Sequence, residues 1–242
     1  MSEFRYVGSE LELFAVVHNW KSYWSGRILP FIAGDVLEVG AGIGANTPYL
    51  NRGGHRRWVC LEPDATLVGL LASNLQRANQ SGECEVICGT LQSVKGSQFD
   101  TILYIDVLEH IADDREELQL AAAFLRDGGR LIVLSPAHQN LFSPFDAAIG
   151  HFRRYNHAML RRITPATLRL QQVSYLDSVG VLLSAANRYW LKQSIPTKGE
   201  LRFWDQCVIP ASRVLDRCLF GSVGKSIMAI WGQVEKRGDP LG

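Results

Sequence analysis

Residues 35–47 read DVLEVGAGIGANT. A run of strand formers meets Gly40, Gly42 and Gly44, and an Asn-Thr pair then suits a helix start. Glycines in such a turn let the backbone bend tightly and bring its N–H groups close to a ligand with no Cβ in the way. The helix behind them opens with unpaired N–H groups. Strand-like runs repeat downstream at 56–62 (RRWVCLE), 83–89 (ECEVICG), 99–106 (FDTILYID) and 128–136 (GGRLIVLSP). Helical patterns separate several of them, at 64–79 and at 114–128, the latter expected to end on Gly128 and Gly129. Near-continuous apolar strands alternating with helices predict a parallel sheet covered on both faces. LQQVSYLD (170–177) and the alternating SIMAIWGQVEK (226–236) supply two later strands. The expected fold is α/β: Rossmann-like, doubly wound, with a mostly parallel seven-stranded sheet, residues 226–236 as its antiparallel member, and a helical cap. Ligands of such sheets bind at the carboxyl ends of the strands.

The chain of 242 residues suits one domain. We divide it into an N-terminal helical cap (1–34, with an amphipathic helix over 9–28), a core (35–136), and an acceptor side of loop, lid helices and closing strands (137–242). At this size folding buries roughly 70–75% of the unfolded surface, so no staples are needed. The net charge of +1 argues against a nucleic-acid partner, which would call for a basic excess. The N-terminus lacks the pattern of a signal peptide, and no run reaches the ~18 apolar residues of a spanning helix. Five cysteines form no CxxC; Cys84 and Cys88 share a strand face and read as packing residues. The expectation is a cytoplasmic protein with reduced thiols. No His/Asp/Glu group has the linear spacing of metal ligands, so no metal is expected.

The glycine loop also fits a dinucleotide fingerprint, Gly40-x-Gly42-x-x-Ala45, with Glu62 some 20 residues on. The loop alone therefore leaves NAD and S-adenosylmethionine open. Three features separate them: Glu38, making E-x-G-x-G, where an acid suits a cationic ligand better than a pyrophosphate; the helix before the first strand; and the continuation FDTILYIDVLEHIADD (99–114). With EVGAGIGANT (38–47), CLEPDA (60–65), GTL (89–91), DVLEHI (106–111) and LRDGGRLIVLSPAH (125–138) in that order, the sequence resembles a class I S-adenosylmethionine-dependent methyltransferase over about residues 33–138. The run SPAHQNLFSPFDAAIGHFRRYN (135–156) is more weakly similar to a bacterial small-molecule subgroup.

The resemblance implies S-adenosylmethionine as cofactor. Gly40, Ala41, Gly42 and Gly44 would form its loop, with Glu38 reaching its ammonium through a water. Glu62 would accept the ribose hydroxyls, with Pro63, Thr90 and Leu91 around the adenine; Thr90 stands where many relatives carry an acid. Asp106, Val107 and His110 would line the methionine end. The acceptor would be a small molecule, methylated at O, N or C. An anionic, lipid-linked or secondary-metabolite acceptor fits the cationic loop GHFRRYN (150–156), which follows the fifth strand on the acceptor side. There His151, with an ordinary pKa near 6.5, is a candidate base. Glu109 is a second catalytic candidate, and Arg153, Arg154 and Tyr155 are candidate substrate contacts. Blander readings stand beside these: Glu109 favoured by a helix dipole, an arginine pairing with Asp146, Tyr155 packed with its hydroxyl satisfied. Trp20 and Trp24 pack the N-terminal helix onto the core or pocket. Arg188, Tyr189 and Trp190 complete a lid more readily than they touch a membrane. Two other functions use the same loop: an NAD(P)-dependent oxidoreductase and a non-catalytic partner subunit.

Overall fold

The computed structural model describes residues 10–80, 83–186 and 196–233. Seven strands form one sheet in the order β3-β2-β1-β4-β5-β7-β6: β1 Asp35–Val39, β2 Arg57–Glu62, β3 Cys84–Cys88, β4 Phe99–Ile105, β5 Leu125–Pro136, β6 Leu168–Leu176 and β7 Ser226–Gln233. β7 alone runs against its neighbours, pairing antiparallel with both β5 and β6. The order reverses about β1, which pairs in parallel with β2 and β4. That switch puts the loops after β1 and β4 side by side above the sheet.

The two faces bury separate cores because side chains alternate along each strand. Leu37, Leu61 and Val133 face one way, with Tyr155 and Trp231. Val36, Trp58 and Ile132 face the other, covered by Trp20, Trp24, Trp204 and Ile209. Residues 9–28 form two helices, α1 Glu10–Ala15 and α2 His18–Ile28. The break has an electrostatic cause: buried Asp205 accepts the N–H groups of His18, Asn19 and Trp20 at 2.9–3.2 Å, capping α2 from the far end of the chain.

Other boundaries move for local reasons. α3 Thr47–Leu50 and α4 Ala65–Arg77 follow β1 and β2, and the Asp64 side chain caps α4. α5 spans Asp114–Ala123 and stops short of Gly128 and Gly129, which lie instead in β5 at an irregularity in its pairing with β4. The glycine-terminated helix is thus corrected: the chain has already entered the sheet at Leu125. α6 Pro144–Ala148 shortens the loop after β5. α7 His157–Arg162 ends ahead of Pro165, because proline cannot continue the ladder. α8 covers Ser178–Ala186; the proposed lid aromatics 188–190 and residues 234–236 lie outside the described residues. α9 Lys198–Phe203 passes through one π-helical turn, Trp204–Val208, into α10 Ile209–Cys218. Cys88 is exposed, so packing explains Cys60 and not Cys88; all five cysteines are free thiols. Among the described residues no helix is long and apolar enough to cross a membrane.

Candidate active site

A cavity of about 560 Å³ opens above the switch point. One wall is the glycine loop, Gly40 to Asn46 without Gly44. Gly40 has φ +66° and Gly42 φ +57°, where L side chains rarely sit. A Cβ at Gly40 would lie 2.7 Å from a Val107 methyl, whereas one at Gly42 would meet nothing closer than Leu11 at 3.7 Å. The loop therefore needs glycine at 40 for packing and leaves backbone at 42 open to a ligand. Gly44 serves packing too, facing Leu71.

Glu62, at the tip of β2, is 4% exposed and lies outside this cavity. Its Oε2 accepts from Gly42 N at 2.8 Å and its Oε1 from Asp64 N at 3.0 Å. A carboxylate has about four lone-pair sites, so two remain for ribose hydroxyls and the residue fits that role. Exposed Thr90 and half-buried Pro63 stand beside it at the strand ends; Leu91 is core.

Glu38 needs correction. Its Oε2 accepts from Trp58 Nε1 at 3.1 Å on the interior face of the sheet, and the carboxylate does not line the cavity. Burial raises its pKa to about 7 against the hydrogen bonds from Thr47, Trp58 and Cys60. It ties β1 to β2. Val107 likewise packs on Gly40 and stays out of the cavity.

The opposite wall is charged and buried. Asp106, the residue after β4, has φ +55° and its surface opens into the cavity, while the protein packed around it raises its carboxyl to about 6 by desolvation. Glu109 is fully buried; Ser135 Oγ donates to its Oε2 at 2.9 Å, and its Oε1 has no hydrogen-bond partner. His151 Nε2 stands 3.9 Å from that oxygen, and its Nδ1 meets Asp146 Oδ1 at 2.9 Å. The His110 and His151 rings cross edge-on at 4.5 Å. Residues scattered along the sequence thus meet, with ligand atoms of Glu109, His110 and His151 all within 4.8 Å of one another. Linear spacing could not reveal this, because Glu109 and His151 belong to different loops.

The surroundings of His151 move its pKa away from the ordinary value. Burial disfavours its charge, but the Asp146 hydrogen bond and the fields of Glu109, Asp146 and Asp106 outweigh burial and raise its pKa. Asp146 anchors the loop by accepting five hydrogen bonds, from Ser143 N and Oγ, His151, and Arg154 Nε and Nη2. Arg154 lines the cavity but is clamped on Asp146 at 2.8 Å through both donors, so it holds the loop before it meets any acceptor. Two further expectations are corrected. Arg153 turns outward to Asp114 and the Ala112 carbonyl, outside the cavity. Tyr155 is fully buried and donates to Asp114 Oδ2 at 2.7 Å. Two contributors went unread in the sequence: Lys21, buried between Trp20 and Trp24 with its Nζ on the carbonyls of Ala15 and Ala45, and Lys225 over the Trp204 ring at 4.4 Å. A lysine on the apolar face of an aromatic helix was the available signal for Lys21.

On this frame the chain matches a methyltransferase-domain family model over residues 37–133. That segment is a methyltransferase domain, and in sequence and fold the chain is similar to class I S-adenosylmethionine-dependent methyltransferases. The ubiquinone biosynthesis O-methyltransferases of Psychrobacter cryohalolentis and Psychrobacter arcticus are each 26% identical over 181 residues, 66% of this chain and 67% of theirs. A geranyl diphosphate methyltransferase bound to S-adenosylmethionine superposes with TM-score 0.64 at 14% identity, covering 94% of this chain and 91% of that one. The mitomycin 7-O-methyltransferase gives 0.57 at 12% identity over 93% of this chain and 54% of its own. The reaction is S-adenosylmethionine-dependent methyl transfer to a small molecule, and the oxidoreductase alternative falls away.

Proposed function

We propose that this methyltransferase acts on the oxygen or nitrogen of an acceptor with an apolar body, in the cytoplasm, where free thiols persist. The observation that carries the reading is the single cavity with two unlike walls: open backbone at Gly42 on one side, the buried Glu109–His151 corner on the other. The methionine end of the cofactor lies on the first wall. Lys21, with two of its three donors on carbonyls, offers the third to the methionine carboxylate. Glu62 takes the ribose hydroxyls and Pro63 and Thr90 border the adenine. Between the walls, Phe14, Phe145, Leu201 and Trp204 cover the acceptor's body, and its nucleophile faces the Glu109–His151 corner.

Transfer is in line. The acceptor lone pair takes the methyl carbon, and the electrons of the sulfonium S–C bond return to sulfur, leaving S-adenosylhomocysteine. Alignment and exclusion of water carry much of the rate. The apolar cover serves both.

Calorimetry with S-adenosylhomocysteine tests the first wall: Glu62→Ala and Lys21→Gln should each weaken binding about tenfold or more. Unchanged affinity in either variant removes that residue from the cofactor site. Release of S-adenosylhomocysteine across a panel of apolar phenols, alcohols and amines tests the second. Cofactor binding with no turnover on any of them would favour a non-catalytic subunit.

A further inference from the structure

We propose that Glu109, His110 and His151 bind a divalent cation of the Zn²⁺ type, which holds the acceptor's oxygen for methylation. Three observations support it independently of one another. The three ligand atoms lie within 4.8 Å of one another, so a central ion sits at most about 2.8 Å from each, and a modest side-chain shift reaches the 2.0–2.2 Å of Zn–N and Zn–O bonds. Glu109 is fully buried with Oε1 unpartnered and aimed at the His151 ring. A buried carboxylate oxygen without a donor is costly, and a cation removes that cost.

The third observation is the layer behind the ligands. Metal-bound histidines almost always donate their other ring N–H to a carboxylate or carbonyl, and ligating carboxylates are themselves hydrogen-bonded. Here His151 Nδ1 is held by Asp146 at 2.9 Å, the His110 ring by the Gly150 carbonyl, and Glu109 Oε2 by Ser135 at 2.9 Å. An ordinary ion pair between Glu109 and His151 requires none of this. It would also close to hydrogen-bond distance, and the pair stands at 3.9 Å.

The surrounding charge agrees. Asp106 and Asp146 flank the corner, and Arg154 is matched by Asp146. Two imidazoles and one carboxylate suit Zn²⁺, Co²⁺ or Mn²⁺ better than Mg²⁺, which prefers oxygen. Three protein ligands leave positions open, and the cavity lies over them. The ion's role rests on the methyl-transfer reading and narrows it to hydroxylated acceptors. The cation lowers the pKa of the bound hydroxyl, its proton leaves to solvent, and the oxygen takes the methyl as described.

The experiment begins with the whole protein, stripped by chelator and dialysed. Titration with Zn²⁺, read by calorimetry and elemental analysis, should show one equivalent per chain. Co²⁺ should give a visible absorption band that shifts when a hydroxylated acceptor is added. Glu109→Gln and His151→Gln should lose the band and weaken Zn²⁺ binding at least 100-fold. Ser135→Ala, one layer out, should weaken it about tenfold. All should keep S-adenosylhomocysteine affinity, which also reports that they fold. No stoichiometric uptake, or equal uptake by His151→Gln, overturns the proposal, as does full turnover in chelator. If S-adenosylhomocysteine fails to bind while Zn²⁺ uptake is intact, the methyl-transfer reading falls and the metal site stands.

Discussion

The two walls of the cavity are built from opposite materials. The glycine wall is backbone: it carries no side-chain charge, and its shape depends on left-handed residues at 40 and 42. The histidine wall is side chain: buried Asp146 holds His151 and Arg154 by hydrogen bonds, and Glu109 faces His151 at 3.9 Å. A backbone wall fails by steric overlap and a charged wall by leaving a partner unpaired. The two should therefore break separately, and cofactor affinity should follow one while stability follows the other.

The largest effect is expected at Gly40. Alanine there puts a Cβ 2.7 and 2.8 Å from the two Val107 methyls, at φ +66°. Left-handed strain of roughly 1–2 kcal/mol adds to overpacking of roughly 1–3 kcal/mol. The loop should shift, and S-adenosylhomocysteine affinity should fall at least 100-fold by calorimetry. Adding Val107→Ala removes the overlap and keeps the strain, so the double variant should recover part of the affinity. No recovery would mean that strain alone governs this wall.

Arg154→Met attacks the other wall. It leaves Asp146 buried and short of its guanidinium, a class of loss worth about 3–5 kcal/mol. For a domain of this size that lowers Tm by roughly 10 °C. Affinity for S-adenosylhomocysteine should stay within about threefold. A raised KM for the acceptor with unchanged Tm would instead return Arg154 to substrate binding.

Glu38 sits behind the glycine wall and supplies a test by pH. Its pKa rises from 4.5 to about 7 in the fold. A raised pKa means that folding favours the protonated form. The contribution is full below pH 4.5 and is lost as pH climbs through 7. Glu38→Gln cannot titrate, so its Tm relative to the parent should increase between pH 5 and pH 8. A constant difference across that range would place the charged form in the fold.

These positions also show what the sequence could tell. Gly40 and Gly42 stand in one contiguous motif whose backbone conformation is local, so strand, turn and ligand side were all legible there. The seven strands were legible too, because each carries its own apolar run. Glu38 was misread, since strand alternation says only that a residue faces one side of the sheet. The neighbours Trp58 and Cys60 decide what that side holds. The histidine corner was legible only as a list of candidates. Ser135, Glu109 and His151 come from three segments that touch through the fold, and a linear reading has no distance between them. Asp205 capping α2 from 185 residues away is the same failure on a structural feature.

Adjacent arginines give the smallest and sharpest contrast. Arg153 and Arg154 share a sequence context, but their side chains leave the chain toward different carboxylates. Arg154 faces the buried carboxylate, while Arg153 reaches Asp114 at the edge, with its side chain 21% exposed. Pairs open to water contribute about 0.2–1 kcal/mol. Arg153→Ala should therefore lower Tm by no more than about 4 °C, given roughly 2–4 °C per kcal/mol at this size. Acceptor turnover and S-adenosylhomocysteine affinity should each stay within about twofold. The informative comparison is the ratio of the two effects: Arg154→Met large in Tm, Arg153→Ala small in everything. If Arg153→Ala alone raised the acceptor KM tenfold, the acceptor would extend over the outer edge of the loop, past Phe152, and the histidine wall would be only the inner part of a longer site.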